Sequence, residues 1–398
     1  MWKSRNETLC AICDVGSATV SAGLVLFSQD KKPSIVWTTR VPYSIGEKPD
    51  IRHLEAVMFE LLETAFTQIV SEGLPFIHKQ GIREKKVEHL FITLASPWFS
   101  AKASSVSIHE DEPFILDEKI ISDAVRDEER KFEEEAVRGL YEQVRNQDIR
   151  MIEREVVRVL LNGYETKTPY DKYARFAELS LYMSIIPERI LSGIQKLARE
   201  HLHTDRCTVR TFPLSFFAAV TNLFPHNYDY LLADIAGEST DVSLVKNGTI
   251  VETASFGFGR NSLVRALMQE LRVDEEIAFS YLHLDASNSA SAELRAQIQS
   301  VITKHMDSWS LGMKSLLQNL QKRNTIPHAC FTLWDEDVSV PFSVALQGVA
   351  STCGITHTVQ LKSQVLEAHV ETRKSATPDI FIAIEALHRH FIFLKEHN

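Results

Sequence analysis

Hydrophobic and polar positions follow two different periods along the first part of the chain. Three short apolar runs separated by polar turns predict a meander of strands. These runs are Leu9–Val15, Val20–Phe27 and Ser34–Thr39. From Ile51 to about Ser71 the apolar residues recur at helical spacing, and the apolar run Glu88–Ala95 predicts a buried strand. The predicted order is therefore three strands, a helix and a strand.

The segment from Ser96 to about Cys207 has a different pattern of hydrophobic and charged positions, which predicts a small α+β unit interposed in a larger domain. Asp117 is a suitable N-cap for a charged helix that runs to about Arg145. The other predicted elements of this segment are strand-like runs and an amphipathic helix, at Ala103–His109, Ile152–Leu161, Ala177–Ile186 and Pro187–Leu202.

The opening pattern recurs after this segment. Three further strands are predicted at Tyr230–Ile235, Asp241–Lys246 and Thr249–Ser255, the last two joined by the hairpin signal Asn247-Gly248. Asn261 is the predicted N-cap of a helix that reaches about Leu271. A strand at about His328–Leu333 and a last helix from Pro378 to the end follow a largely helical stretch. The recurrence predicts an internal duplication.

Composition narrows the class of protein. A chain of 398 residues predicts two or three domains, and 44% hydrophobic with 24% charged residues is typical of a globular protein. The formal net charge of -10 disfavours nucleic acid as a ligand, because binding to the phosphate backbone needs a basic excess. Since the sequence contains neither an eighteen-residue membrane span nor a secretory signal pattern, we expect a cytoplasmic protein.

Short patterns that could indicate other chemistry have simpler explanations. Cys10 and Cys13 form a C-x-x-C, but a spacing of three in a strand sends their thiols to opposite faces, which favours core packing over a redox or metal site. Gly257-x-Gly259 lacks the third glycine of a dinucleotide fingerprint. Surface or helix-end positions are favoured for the histidines, including His201, His203, His388 and His390.

Two similar hairpins carry the candidate chemistry. In each, an aspartate ends a buried strand and small residues follow: Asp14 precedes Gly16 and Ser17, and Asp234 precedes Gly237 and Ser239. Turns of this kind can direct backbone N–H groups at phosphoryl oxygens, while the carboxylates hold a hydrated divalent cation. Either hairpin alone is an ordinary tight turn, but the pair together indicates a polyphosphate clamp.

These residues carry a resemblance to a known superfamily. The segments Asp14-Val15-Gly16-Ser17-Ala18-Thr19 and Asp234-Ile235-Ala236-Gly237-Glu238-Ser239-Thr240-Asp241 resemble the two phosphate loops of the actin, sugar-kinase and Hsp70 superfamily. The order of parts is similar to the bacterial cell-division actin homologue FtsA and the pilus-assembly protein PilM. The resemblance implies an α/β, two-lobed actin-like fold, duplicated and ribonuclease-H-like, with an inserted small α+β subdomain of the SHS2 type. The implied domains are 1–96, 97–206 and 207–398, with a closing helix at 378–396.

The resemblance also implies a nucleotide site for ATP and Mg²⁺ between the lobes. The implied nucleotide-contacting residues are Gly16, Ser17, Thr19, Gly237, Ser239, Thr240, Gly259, Asn261 and Trp334. Asp14 and Asp234 would hold the metal. If the protein is an ATPase, Asp14, Asp234 and Asp241 are its implied catalytic residues, and Asp241 or a residue near Ser215 would position the attacking water.

The two loops depart from the family's pattern. Thr19 stands where the family usually has a lysine, and Ala236 and Glu238 replace two glycines. A Cβ at each position limits backbone approach, and a Glu238 carboxylate that pointed inward would repel the terminal phosphate. Where a glycine run is expected beside adenosine, the chain reads Leu333-Trp334-Asp335-Glu336, so that Trp334 would occupy the space of a purine.

The departures favour an FtsA/PilM-like cytoplasmic scaffold with weak or lost nucleotide binding over its alternative, an Mg-ATP-binding actin-like ATPase that switches between lobes. The implied partner is the cytoplasmic tail of a membrane protein, and the resemblance allows a homo-oligomer or filament. The protein would then be cytoplasmic and peripheral at the bacterial inner membrane through that partner, in cell division or type IV pilus assembly. The apolar stripe of the last helix favours core packing over lying on a membrane.

Overall fold

Strands and helices follow one another in two similar series separated by an inserted unit. The structure is a computed structural model that describes residues 7–46, 51–82, 84, 86–139, 148–166, 168–373 and 379–397. The strands are β1 (Thr8–Val15), β2 (Thr19–Phe27), β3 (Ser34–Pro42), β4 (His89–Leu94), β5 (Ser100–Leu116), β6 (Ile149–Leu161), β7 (Tyr164–Glu165), β8 (Lys172–Pro187), β9 (Cys207–Thr211), β10 (Tyr230–Ile235), β11 (Thr240–Lys246), β12 (Thr249–Phe256), β13 (Ala329–Trp334), β14 (His357–Gln360) and β15 (Glu371–Thr372). The helices are α1 (Ile51–Gln68), α2 (Leu74–Lys79), α3 (Glu118–Gly139), α4 (Glu188–Leu202), α5 (Phe212–Leu223), α6 (Arg260–Leu271), α7 (Glu275–Ala286), α8 (Ala292–Gln321), α9 (Ser339–Cys353), α10 (Ser363–Leu366) and α11 (Ile380–His397).

Two mixed sheets share one strand order. In the first, β3, β2 and β1 form an antiparallel meander, and β4 and β9 continue the sheet parallel to β1. In the second, β12, β11 and β10 form the meander, and β13 and β14 continue parallel to β10. The short strand β15 extends the first sheet beside β3. The internal duplication predicted from the sequence is therefore confirmed.

The inserted unit is an antiparallel sheet with strand order β5-β8-β6-β7. Helix α3 packs on this sheet, and its cap is the predicted one, because the Ile120 amide donates to Asp117 Oδ1 at 2.8 Å. Within the described residues α3 ends at Gly139, and its predicted limit at Arg145 lies outside them. The unit lies in the chain between β4 and β9, as the expected inserted α+β subdomain requires.

Two strands of the segment assigned to the second lobe pair in the first sheet. Strand β9 follows that boundary at 206/207, yet it pairs with β4 in the first sheet, with Leu90 opposite Cys207. Strand β15, much later in the chain, also joins the first sheet. The segment that we assigned to the second lobe thus supplies two strands to the first sheet. The boundaries themselves stay predictions.

Two helices fill the space between the sheets. Helix α11 packs on β1 and β2, whereas α5 packs on β10 and also contacts α11. Their apolar side chains form one buried cluster with Ile12 of the first sheet and Leu232 of the second. Because Ile382, Ile384 and Leu387 are buried, the closing helix packs in the core, as predicted. Pro378, the predicted start of this helix, lies outside the described residues.

Several elements were missed by the sequence analysis. Helix α5 is buried over most of its surface, so it lacks the alternating apolar and polar faces that identify an amphipathic helix. Strand β9, helix α9 and strand β14 were missed as well. Among the residues that the structure describes, none of the helices combines the length and the apolar character needed to cross a membrane.

Candidate functional site

The two aspartate-bearing turns have the same local geometry. In the β1–β2 turn the Gly16 amide donates to Thr19 O at 3.0 Å, and in the β10–β11 turn the Ala236 amide donates to Ser239 O at 2.9 Å. Trp98 Nε1 supports the first turn by donating to Gly16 O at 3.0 Å. The paired turns expected from the sequence are therefore present and locally alike.

The two turns touch each other directly. The amide of Glu238 donates to Ser17 Oγ at 2.9 Å, and Asn261 Nδ2 donates to Ser17 O at 3.3 Å. A Cβ built on Gly237 would lie 2.5 Å from Ala18 N and 2.6 Å from Ser17 C. Only glycine fits this approach, because both contacts are with backbone atoms that cannot rotate away. The two turns that we expected to clamp a polyphosphate between them are packed against one another.

The amino terminus of α6 is already occupied by the second turn. The Arg260 amide donates to Ala236 O at 2.9 Å and the Asn261 amide donates to Gly237 O at 2.8 Å. A Cβ on Gly259 would lie 2.3 Å from Ala236 O, so this helix start is tightly packed on the turn. The first amides of a helix are the donors that ordinarily receive a phosphate. In this chain those donors are satisfied by protein carbonyls.

Asn261 does not cap α6, contrary to the prediction. The helix begins at Arg260, and Gly259, in an extended conformation, takes the N-cap position. Asn261 lies in the first turn, where its side chain donates to Glu238 Oε1 at 2.8 Å as well as to Ser17 O. Its role is therefore to bridge the two turns.

The Glu238 carboxylate is not an unpaired charge, because it forms an ion pair with Arg265. Its carboxylate accepts two hydrogen bonds from Arg265 of α6, from Nη1 at 2.9 Å and from Nη2 at 2.5 Å. Both side chains are only 11% exposed, so the pair is a largely desolvated, bidentate ion pair. The condition for repulsion of a phosphate, an unpaired Glu238 carboxylate that points inward, is therefore not met, because Arg265 neutralises the carboxylate.

A group of buried carboxylates lies behind the turns. Asp14 and Asp234 are 3% and 5% exposed, and the Oδ1 atom of each has no hydrogen-bond partner within the described residues. Burial raises the pKa of Asp14 well above its usual range, and the charge of Asp379 raises it further. Burial likewise raises the pKa of Asp234, followed by the charges of Asp241 and Asp14. The structure therefore brings the two predicted aspartates into electrostatic contact.

Asp241, which is half-buried, lies beside this group. It pairs with Asp234 in the β10–β11 register, and its Oδ1 accepts a hydrogen bond from Ser96 Oγ at 2.8 Å. Burial raises the pKa of Asp241 to about 6, although the Ser96 hydroxyl acts in the opposite direction. Since Ser96 follows β4 of the first lobe, this hydrogen bond also ties the two lobes together.

The carboxylates fit an Mg²⁺ ion only in part. The two unpartnered Oδ1 atoms are suitable oxygen donors, but Mg²⁺ needs an octahedral set that nucleotide phosphates usually help to complete. In the described part of the chain, no three His, Cys, Asp or Glu side chains converge as metal ligands. The phosphates themselves do not fit, because the turns meet and the α6 amides are used. The raised pKa values of Asp14 and Asp234 favour the protonated form of both carboxyl groups in this arrangement.

Ion pairs close the lobes over the carboxylates. Arg40 at the end of β3 pairs with Asp335 after β13, and Arg40 Nη2 also donates to Thr19 Oγ1 at 3.2 Å. Arg260 Nε lies 3.6 Å from the other oxygen of Asp335. The Ile45 amide, in the first lobe, donates to Glu275 Oε2 of α7 at 2.9 Å. Several contacts from different elements thus hold the closed arrangement.

Two other predicted contact residues, Thr240 and Trp334, have hydrogen-bond partners inside the protein. Thr240 Oγ1 donates to Phe258 O at 2.7 Å and accepts from Trp309 Nε1 at 2.9 Å. Trp334 is 5% exposed, belongs to the core of the second lobe and donates to Ser339 Oγ at 3.1 Å. Ser239 is buried beside these residues, and its hydroxyl has no partner in the described part of the structure.

Ser215 lies away from the turns. Its hydroxyl is fully buried, donates to Glu385 Oε2 at 2.5 Å and lies 2.9 Å from His388 Nδ1. The Ser215 hydroxyl is therefore used inside the core, between α5 and α11, and a water-positioning role for a residue near it stays a prediction. His388 is also not at the surface, contrary to expectation, since it is 6% exposed beside Glu385.

The sequence analysis missed four charged residues of the site, Arg40, Asp335, Arg265 and Asp379. For two of them a signal existed. In a meander β3 runs parallel to β1, so Arg40 at its end reaches the same sheet edge as Asp14. Asp335 follows β13, which is parallel to β10 and ends beside Asp234.

No family model matches the sequence, and no curated protein matches it. Among solved structures, the chain is similar to the PilM-PilN type IV pilus biogenesis complex, with a TM-score of 0.58 and 12% identity over 98% of this chain and 99% of that chain. A Bacteroides thetaiotaomicron protein of actin-like ATPase fold and unknown function has a TM-score of 0.45 and 9% identity, over 97% of both chains. The ethanolamine utilization protein EutJ from Carboxydothermus hydrogenoformans has a TM-score of 0.41 and 12% identity, over 96% of this chain and 89% of its own.

At these identities the likeness speaks to the fold, and the first structure carries that argument. It covers both sheets and the inserted unit, since nearly the whole of each chain is included. The repeated strand order and the paired turns agree with it. The chain therefore has a two-lobed actin-like fold and resembles PilM in structure.

Proposed function

We propose that this protein is a PilM-like scaffold of actin-like fold that binds the cytoplasmic tail of a membrane protein and binds nucleotide weakly or not at all. The observation that carries the proposal is the direct contact between the two turns, in which the Glu238 amide donates to Ser17 Oγ at 2.9 Å. A nucleotide of this superfamily would have to place its phosphates where these turns meet.

The energetic cost of opening the turns supports this proposal. A phosphate would have to displace the hydrogen bonds from the Arg260 and Asn261 amides as well as the one to Ser17. Each is worth about 0.5–1.5 kcal/mol net, and the displaced carbonyls would need new partners. Three such bonds cost about 1.5–4.5 kcal/mol, which is roughly one to three orders of magnitude in affinity.

The partner part of the proposal rests on the similar structure. That structure is a complex of PilM with PilN in type IV pilus biogenesis, and the likeness spans nearly all of both chains. By analogy, we propose that this chain works through partner binding, as a cytoplasmic protein held at the inner membrane by that partner, and that it forms homo-oligomers or filaments. Its net charge of -10 argues against nucleic acid as the partner.

One observation favours the alternative, an Mg-ATP-binding ATPase that switches between lobes. Asp14 Oδ1 and Asp234 Oδ1 are buried without hydrogen-bond partners among the described residues, which is costly unless a proton or a cation satisfies them. In this alternative Asp14 and Asp234 would hold the cation, and Asp241 would position the attacking water. The lobes would first have to separate, breaking the Arg40–Asp335 ion pair.

Isothermal titration with ATP and Mg²⁺ separates the two functions. For the scaffold we expect no saturable heat at millimolar nucleotide, in the wild type or in Asp234→Ala. Saturable binding that is lost in Asp234→Ala would instead contradict weak nucleotide binding and favour the Mg-ATP-binding alternative. Asp123→Ala is the matched control, because Asp123 is an exposed carboxylate on α3.

A sedimentation assay tests the partner. Inner-membrane vesicles from the native host should carry the protein into the pellet, and protein-free liposomes of the same lipids should not. Mild proteolysis of the cytoplasmic face of the vesicles before mixing should abolish binding, because it removes the tail. Equal binding to vesicles and liposomes, or binding to neither, would contradict the scaffold.

A further inference from the structure

A cavity of about 410 Å³ lies in the first lobe, between the sheet and the last turns of α11. Cys10 of β1 lines it, four residues before Asp14, which places the cavity roughly 13 Å along the strand from the carboxylate group. Its volume falls in the range of about 300–1,000 Å³ that is usual for small-molecule sites. This cavity is therefore separate from the turns.

The lining of the cavity is strongly basic. Three arginines, Arg206, Arg210 and Arg389, line it together with a single carboxylate, Glu88. Arg210 already forms an ion pair with a residue outside the lining, because its Nη1 lies 2.9 Å from Glu155. Unpaired positive charge for a ligand comes from Arg206, which is exposed, whereas Arg389 is paired with Glu385 and offers a ligand its unused Nη2 donor.

Arg389 is held in place by one ion pair and retains an unpaired hydrogen-bond donor. It is 5% exposed, and its Nε donates to Glu385, one turn earlier in α11. Its Nη2 has no hydrogen-bond partner among the described residues. A buried guanidinium nitrogen without a partner is unfavourable, and an anion in the cavity would supply the missing acceptor.

One wall of the cavity combines an aromatic ring with neutral polar groups. Phe91 stacks on His89 with ring centroids 4.2 Å apart, and the Arg389 guanidinium carbon lies 4.5 Å from the Phe91 centroid. His89 Nε2 lies 2.7 Å from Thr208 Oγ1. Burial, together with the charges of Arg389 and Arg206, lowers the pKa of His89 to about 4. The positive charge around His89 is therefore incompletely balanced.

We propose that this cavity binds a small organic anion, with a phosphate or carboxylate group held by Arg389 and Arg206 and an apolar part packed on Phe91. Guanidinium groups recognise both kinds of anion through charge-assisted hydrogen bonds. An aromatic wall beside them selects a ligand with an apolar body over a bare inorganic ion. The site does not depend on the scaffold proposal, because it shares no residue with the turns.

Isothermal titration with three probes of similar size tests the site and its chemistry. Phenyl phosphate and benzoate carry the two anionic groups, and benzyl alcohol is the neutral control. We expect saturable binding of at least one anionic probe and none of benzyl alcohol. Binding of phenyl phosphate alone identifies a phosphate site, and binding of benzoate alone identifies a carboxylate site.

Variants assign the binding to the cavity. Arg206→Ala should weaken the bound probe about tenfold or more, because it removes a charged hydrogen bond from an exposed residue whose loss does not disturb the core. Arg126→Ala, which removes an exposed arginine from α3, should leave binding unchanged. Arg389→Met would remove the buried donor but strand the Glu385 carboxylate, so Arg206→Ala is the decisive variant. Failure of both anionic probes to bind the folded wild type, or equal affinity in Arg206→Ala, would overturn the proposal.

Discussion

Replacing Asp241 by asparagine should make the protein more stable at neutral pH. Asp241 faces Asp234 across the β10–β11 pair and accepts a hydrogen bond from Ser96 Oγ at 2.8 Å. Asparagine has the same shape, and its Oδ1 can still accept that hydrogen bond. The substitution therefore removes the negative charge and leaves the contact between the lobes in place.

The sign of the effect follows from the pKa of Asp241, which burial raises from 3.8 to about 6 in the folded protein. Between these two values the folded state binds more protons than the unfolded state. The free energy of unfolding therefore falls as pH rises from about 4 to about 6, and the loss is complete above the folded pKa. At about 1.4 kcal/mol per unit, the charge costs up to roughly 3 kcal/mol at neutral pH. The asparagine variant carries no such cost, and its neutral side chain also relieves the repulsion that raises the pKa of Asp234.

Urea unfolding at pH 4.5 and pH 7.5 measures this effect in the wild type, in Asp241→Asn and in a control, Asp123→Asn. The control removes an exposed carboxylate from α3 and should follow the wild type. The wild type should lose stability between the two pH values, and Asp241→Asn should lose clearly less. Some slope should persist in the variant, because Asp14 and Asp234 also have raised pKa values. If the free energy of unfolding changed with pH equally in all three proteins, the raised pKa of Asp241 would be refuted.

Three further predictions concern the closed turns. Gly237→Ala should lower the free energy of unfolding by about 1–3 kcal/mol in urea titrations, since its Cβ would meet Ala18 N at 2.5 Å, and the control Gly257→Ala, with open space around it, should stay within about 0.5 kcal/mol. A double-mutant cycle of Arg40→Ala and Asp335→Ala should give a coupling energy of about 0.5–1 kcal/mol, because the pair is partly exposed, and additive effects would contradict the pair. Millimolar ATP with Mg²⁺ should leave the thermal midpoint unchanged, whereas a saturable increase would contradict the closed site.

The paired turns could be predicted because their signal is local. An aspartate at the end of a buried strand, followed by small residues, predicts both the turn and its position at the sheet edge, and the structure places Asp14 and Asp234 there. The repeated order of meander, helix and strand predicted the internal duplication. These features depend on residues that are neighbours in sequence, which is where patterns of hydrophobic and turn residues are informative.

The closure of the site could not be predicted in the same way. The ion pair between Arg40 and Asp335 joins residues 295 positions apart, and nothing local marks them as partners. The hydrogen bond from Glu238 to Ser17 depends on how α5 and α11 set the distance between the sheets. Tertiary packing of this kind has no periodic signature in a single sequence.

The burial of His388 could have been predicted from the sequence. It lies one helical turn after Ile384, on the apolar stripe that we used to predict a core-packing helix. We instead treated it as one of several scattered histidines, whereas the structure buries it against Ser215 and Glu385. A polar residue on an apolar stripe predicts an internal hydrogen-bond network when the helix is a core helix.

Glycine at two positions of the site has a structural explanation that needs no nucleotide. The resemblance to the superfamily implies that Gly237 and Gly259 allow the backbone to approach a phosphate. In this chain a Cβ at Gly237 would collide with the backbone of the opposite turn, and one at Gly259 would lie 2.3 Å from Ala236 O. Packing of protein on protein is therefore sufficient to require glycine at both positions. Free backbone amides indicate a phosphate site better than glycines do, because a phosphate needs those amides as hydrogen-bond donors. In this chain the amides of Arg260 and Asn261 already donate to the second turn.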